Sequence, residues 1–169
     1  MWIFLFPASI VIILLILLFT IGIFLKSKVM RKESLVIDIY MKKLGKIPGL
    51  IELLKKYHID PEVYDDIIHL HHEAVMSNVY NIYDILELNI RIHGKILFLF
   101  QLTIRISDIQ HDELFHHIRD FILQYENEMR KCLLEINKDI ILYNKFLYWK
   151  KFTIIWFLVP FHELYPINV

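Results

Sequence analysis

The chain has 169 residues, 56% of them apolar or aromatic, with 19 basic and 19 acidic residues and a formal net charge of zero. One cysteine, Cys132, excludes an intrachain disulfide and a cysteine-based zinc site, and at an apolar helical position it reads as a small core residue. No single-sign face long enough for nucleic acid remains, so no nucleic-acid partner is expected.

Ile3 to Leu25 carries no charge and is built mainly of Ile, Leu, Phe and Val. At about 1.5 Å per residue it is long enough to cross a hydrocarbon core of about 30 Å. Trp2 stands at one interface, and Pro7 falls in the first turns, where a missing backbone donor costs least. A cleaved signal peptide would need a basic leader, a shorter apolar run and a small-residue cleavage site, none of which is visible. We therefore expect an uncleaved anchor over residues 1–27 and a helical bundle over 28–169. Lys26, Lys28, Arg31 and Lys32 follow the run and no Lys or Arg precedes it, so the positive-inside rule predicts an outward N-terminus and a cytoplasmic bundle. The same four residues predict attraction to anionic headgroups of the lipid bilayer.

From Leu35 to His58, Leu35, Ile39, Ile47, Ile51 and Leu54 recur on one helical face, with a bend expected near Pro48. Charge is uneven here: the segment from Lys26 to His58 is basic, and Ile59 to Ile90 has acids but no Lys or Arg. Opposite signs in successive segments predict that these two pair side by side.

Asp60-Pro61-Glu62 has the pattern of a helix start, a capping side chain followed by proline and an acid. The helix it opens has Val63, Ile67, Leu70 and Ala74 inward, continues through Val79, Ile82, Leu86 and Ile90, and is expected to stop at Gly94. Lys95 to Arg105 then reads as a short buried helix or a segment packed across the bundle, broken by Ser107-Asp108. The longest periodic stretch runs from about Asp112 to Trp149, with Leu114, Ile118, Phe121, Tyr125, Cys132, Ile136, Ile140, Tyr143 and Leu147 at coiled-coil-like spacing. Phe152 to Phe161 is an apolar decamer that either dips into the membrane interface or folds back on the bundle. The fold class is all-α: a transmembrane helix followed by an antiparallel three- to four-helix bundle with one long C-terminal helix.

Several residues resemble the LemA family of bacterial membrane proteins. The family's long helix carries Phe-x-x-Leu-x-x-x-Leu-x-x-x-Glu-Asn, and Phe115, Ile118, Ile122, Glu126 and Asn127 keep that spacing. Of its two Tyr-Asn pairs seven residues apart, Ile136-Asn137 replaces the first and Tyr143-Asn144 keeps the second. Upstream, Lys46-Ile47-Pro48-Gly49-Leu50-Ile51 resembles the family's Leu-Ile-Pro-Asn-Leu-Val, and Ile106-Ser107-Asp108-Ile109 its Tyr-Pro-Asp-Leu. The family's usual Phe-Pro before the apolar tail is Lys150-Lys151 here, so the chain is similar to a divergent member. The resemblance implies one N-terminal transmembrane helix in the bacterial inner membrane, a cytoplasmic helical bundle and no established enzymatic activity.

Nine histidines raise a metal-binding alternative, since Asp66-x-x-His69 and Glu113-x-x-His116 imitate the carboxylate-histidine pairs of di-iron bundles. At about 100° per residue, His69 lies about 120° off the Val63 and Ile67 stripe and His116 nearly opposite Leu114, which favours a solvated face. The cluster His69, His71, His72 and Glu73 reads as exposed surface in the same way. Asn127, Asn137 and Asn144 lie on or beside the apolar stripe, where a buried amide needs partners and sets helix register. Tyr125 and Tyr143 read as core or boundary residues with a tethered hydroxyl. No nucleotide loop, nucleophile elbow or zinc-protease motif is present. The expectation is a non-enzymatic scaffold or interaction protein with no cofactor, with protein partners unspecified and self-association possible in principle.

Overall fold

The computed structural model describes residues 2–76, 81–151 and 161–167, without the side chains of residues 2–8, 150 and 151. The described residues are mostly helical and contain no strand. They form α1 (Trp2–Leu44), α2 (Ile47–Lys56), a 3₁₀ turn (Pro61–Val63), α3 (Asp65–Met76), α4 (Ile82–Thr103), α5 (Ser107–Gln110) and α6 (Glu113–Lys151). The expected decamer from Phe152 falls outside the described residues except for Phe161, as does Val79.

Two compact units share these helices: Met1–Ser34 with Leu133–Val169, and Leu35–Cys132. Both α1 and α6 contribute to each. The unit of Leu35–Cys132 is a helical bundle. Its centre is filled by Val36, Leu44, Ile47, Leu50, Leu54, Ile67, Ile85, Ile92, Ile96, Leu99, Phe115, Ile118, Ile122 and Met129, all buried. Such close-packed aliphatic burial is the main favourable term for a helix pack of this kind.

Local signals explain most boundaries. Gly45 and Lys46 form a turn, and Pro48 stands in the first turn of α2. The expected bend is therefore a break, because proline there opens a helix without losing a hydrogen bond. Asp60 accepts the Glu62 N–H at 3.1 Å, but the cap opens the 3₁₀ turn and α3 starts only at Asp65. Asn81 caps α4 by accepting the Tyr83 N–H at 3.1 Å. Asp112 caps α6, accepting from the Leu114 and Phe115 N–H groups at 2.8 and 3.2 Å. The Tyr57 hydroxyl donates to Asp112 at 2.6 Å and Lys56 at 3.0 Å, and these bonds hold its carboxyl far below the usual range.

Four expectations are corrected. Gly94 does not end a helix: α4 passes through it to Thr103, so Lys95 to Arg105 is largely the second half of α4. The break expected at Ser107-Asp108 is present but falls just upstream, after Thr103, and these two residues open α5. The basic and acidic segments do not pair as blocks: Asp66 and Glu73 of α3 meet Lys95 and Arg91 of α4, while Lys43 and Lys56 meet Glu126 and Asp112. The first two of these pairs run in opposite order along α3 and α4, as antiparallel packing requires. Finally, several stripe positions shift phase. Leu35, Ile90 and Leu114 are exposed, and Val36 and Phe115 take the inward places beside Leu35 and Leu114.

The helix α1 is long and apolar enough to cross a membrane, and only 6% of its most apolar eighteen-residue stretch is buried. Ile10, Ile12, Ile13, Ile16, Leu17 and Phe24 are among its exposed side chains.

Candidate functional site

Within the unit of Met1–Ser34 and Leu133–Val169, α6 offers a heptad row of Ile136 and Tyr143 with Leu133, Ile140 and Leu147 beside it, all buried. Asn137 and Asn144 flank this row, half-buried. Asn144 Oδ1 accepts the Leu164 N–H at 3.0 Å while its Nδ2 donates to the Leu164 carbonyl at 2.7 Å. Asn137 repeats the pattern on Ile167, accepting at 2.7 Å and donating at 2.6 Å.

The match follows from two periodicities. Seven helical residues advance about 10.5 Å, and three residues of polyproline II advance about 9.3 Å while returning to the same side. Asparagines at that helical spacing can therefore bond residues three apart in an extended chain. Pro166 lies between the two bonded residues, and proline biases the residue before it, Tyr165, toward extended backbone. Residues 161–167 thus form a strap running antiparallel to α6. Ile167 is buried, and Phe161 lies edge-on to Tyr143 at 6.4 Å between ring centroids.

Phe161 also stacks on Phe19 of α1 at 5.9 Å. Gly22 makes this approach possible, because a Cβ there would meet Phe161 Cε2 at 2.5 Å and Cζ at 2.9 Å. The strap therefore ends against the apolar part of α1.

The four basic residues after the apolar run divide by face. Lys28 Nζ lies 2.7 Å from Asp139 Oδ1, and Lys32 Nζ lies 2.8 Å from Asp139 Oδ2 and 2.9 Å from Glu135. Burial alone would push the Asp139 carboxyl up, but the two ammonium groups hold it below its ordinary value, and Asp139 in turn raises Lys32. Lys26 and Arg31 are exposed and, among the described residues, bridge to no carboxylate.

In the other unit, Glu126 anchors a buried polar centre. Lys43, only 1% exposed, approaches Glu126 Oε2 at 2.5 Å and Asn89 Oδ1 at 2.8 Å, and the Asn89 amide lies 3.3 Å from Glu126 Oε2. His93 Nδ1 lies 3.7 Å from the same oxygen and, among the described residues, has no hydrogen-bond partner. Burial lowers both Lys43 and His93, while Glu126, which burial alone would raise, is held down by Lys43. The centre is sealed and internally neutralised, which suits fixing helix register better than receiving a substrate. Burial also pushes the Tyr40 hydroxyl up to about 12.

Of the residues singled out in the sequence, Glu126, Asn137, Tyr143 and Asn144 occupy structured polar or core positions. Asn127 does not: it is exposed on α6, one residue past the inward-facing position of Glu126. The Tyr143 hydroxyl is buried and, among the described residues, unpartnered rather than tethered. Sequence reasoning missed Lys43, Asn89 and Asp139, since a buried lysine looks like a solvated one until its partner is placed. His69 is exposed in a groove with Asp66, Glu73, Arg91 and Lys95, and His116 Nε2 donates to the Gln110 carbonyl at 2.6 Å. Among the described residues, no three histidine, cysteine, aspartate or glutamate side chains converge in a metal-ligand arrangement.

Comparison with family models, curated proteins and solved structures finds no match to this chain.

Proposed function

We propose that the chain is a single-pass protein of the bacterial inner membrane, a divergent relative of the LemA family, with its N-terminus outside and its bundle in the cytoplasm. On this reading it acts without catalysis, presenting helical surface to protein partners, copies of itself included. The observation that carries the reading is the apolar stretch of α1, only 6% buried, which runs without interruption into a basic juxtamembrane helix. Apolar surface exposed on that scale needs lipid or protein to cover it.

Two further features support it. Among the described residues, the buried carboxylates are paired within their own unit, Asp139 with Lys32 in one and Glu126 with Lys43 in the other, as befits charges that fix helix register. On α6, Leu134, Ile141 and Tyr148 recur at seven-residue intervals and are 50%, 61% and 57% exposed, a row of apolar side chains along one outward side of the helix.

Site-directed crosslinking tests the reading in native membranes. In a Cys132→Ser background, Ile141→Cys should give a crosslinked adduct with a second copy or another membrane protein, and an impermeant maleimide should label Lys131→Cys only after lysis. A chain that stays solitary at every α6 position would count against the scaffold role, and labelling in intact cells would count against the cytoplasmic bundle.

A further inference from the structure

The division of the juxtamembrane cations has a counterpart in shape. Lys26 and Arg31 line an open groove of about 570 Å³ together with Ile23, Ser27, Met30 and Phe161, all within one unit. Its polar wall is cationic, and its apolar wall continues the face of Ile23 and Phe161 toward the membrane-spanning stretch. Lys28 and Lys32, one helical face away, are already committed to Asp139. A ligand suited to this groove has an anionic head for Lys26 and Arg31, hydroxyl-accepting oxygens near Ser27, and a hydrocarbon chain lying along Ile23 and Phe161.

We propose that this groove is a binding site for one anionic glycerophospholipid of the surrounding leaflet, its phosphate held by Lys26 and Arg31 and its acyl chain laid against Phe161. The proposal rests on the membrane-anchor reading, which places the end of the apolar run at headgroup level. It goes beyond general attraction to a charged surface, because only two of the four cations take part and the strap supplies a wall. Arginine suits a fork-like contact with phosphate oxygens, and lysine a point contact. Phe161 reaches the groove because Asn137 and Asn144 hold the strap and Gly22 admits the ring.

The test uses the full chain purified in mild detergent, with lipid retention read by native mass spectrometry against phosphatidylglycerol and phosphatidylcholine of identical acyl chains. The wild type should retain phosphatidylglycerol preferentially. The exposed pair Lys26→Ala and Arg31→Ala should cut that preference by about twenty-five-fold, taking each cation near the surface as worth about fivefold. Lys28→Gln, which leaves Lys32 on Asp139, should keep it. Phe161→Ala should weaken retention with both cations present. Equal retention of the two lipids by the wild type, or an equal loss with Lys28→Gln, would overturn the site. So would displacement of the lipid by millimolar glycerol phosphate, which shares the headgroup chemistry but lacks the chains. A protein that alkaline carbonate releases from membranes would instead refute the anchor reading, and the two failures are thereby distinct.

Discussion

Asn137 and Asn144, seven residues apart on α6, each bond both the N–H and the C=O of a single residue of the C-terminal strap, Ile167 and Leu164 respectively. Because these contacts use only strap backbone, they fix register without reading its side chains. Asn144→Ala leaves two backbone groups of Leu164 to find water, and should cost about 1–3 kcal/mol. Hydrogen exchange at residues 161–167 should rise sharply while α2 to α4 keep their protection. Unchanged exchange at Leu164 and Ile167 would mean that the asparagines do not hold the strap.

Phe161 and Gly22 set up a second prediction. Gly22→Leu puts a branched side chain where the Phe161 ring lies, so the strap must move away from α1. The expected loss is about 1–3 kcal/mol. Combining it with Phe161→Ala should recover part of the loss, as measured by thermal unfolding in detergent. Additive losses would show that the two residues do not touch.

The buried Lys43 and Glu126 pair predicts asymmetry between breaking and replacing a charge pair. Glu126→Ala strands an ammonium that is 1% exposed and should destabilise the fold by about 3–5 kcal/mol. The double variant Lys43→Met with Glu126→Leu should be markedly less damaged than Glu126→Ala. A double-variant loss equal to the sum of the singles would rule out the coupling.

Acid should weaken the fold in two stages. Burial depresses the folded His93 value below its ordinary 6.5, so the unfolded chain takes up the proton first and stability falls as pH drops below about 6.5. Glu126 and Asp139 are also depressed in the fold, from ordinary values of 4.5 and 3.8. Their contributions are complete above those values and fade as pH falls through the folded ones. His93→Gln should flatten the upper stage and leave the lower one, as followed by far-UV circular dichroism across pH 3–8. An upper stage that persists in His93→Gln would assign it to another group.

How far these features could be read from the chain depended on whether the signal was local. The apolar run, the Asp60-Pro61 cap and the length of α6 were legible because each is carried by adjacent residues or a sustained period. Gly94 misled because glycine inside a helix costs only about 1 kcal/mol, which the burial of Ile92 and Ile96 beside it readily offsets. Charge blocks misled because net sign ignores helical phase: Lys42 and Lys43 are adjacent in α1, yet Lys42 is exposed and pairs with Asp38 while Lys43 is sealed against Glu126. The α6 stripe was out of phase only in its first turns: Leu114 is exposed and Phe115 inward in its place, while Ile118, Cys132, Ile136, Ile140, Tyr143 and Leu147 are buried as expected. Asn137 and Asn144 stood out as inward polar residues, but nothing local says that a segment 20 to 30 residues downstream supplies their partners.

Anchor, compartment and role all depend on α1 being embedded in lipid, and alkaline carbonate extraction of membranes carrying the full chain measures that most directly. The protein should remain entirely in the membrane pellet and leave it only with detergent. Recovery of the intact chain in the carbonate supernatant would contradict the anchor, and with it the compartment and role argued above.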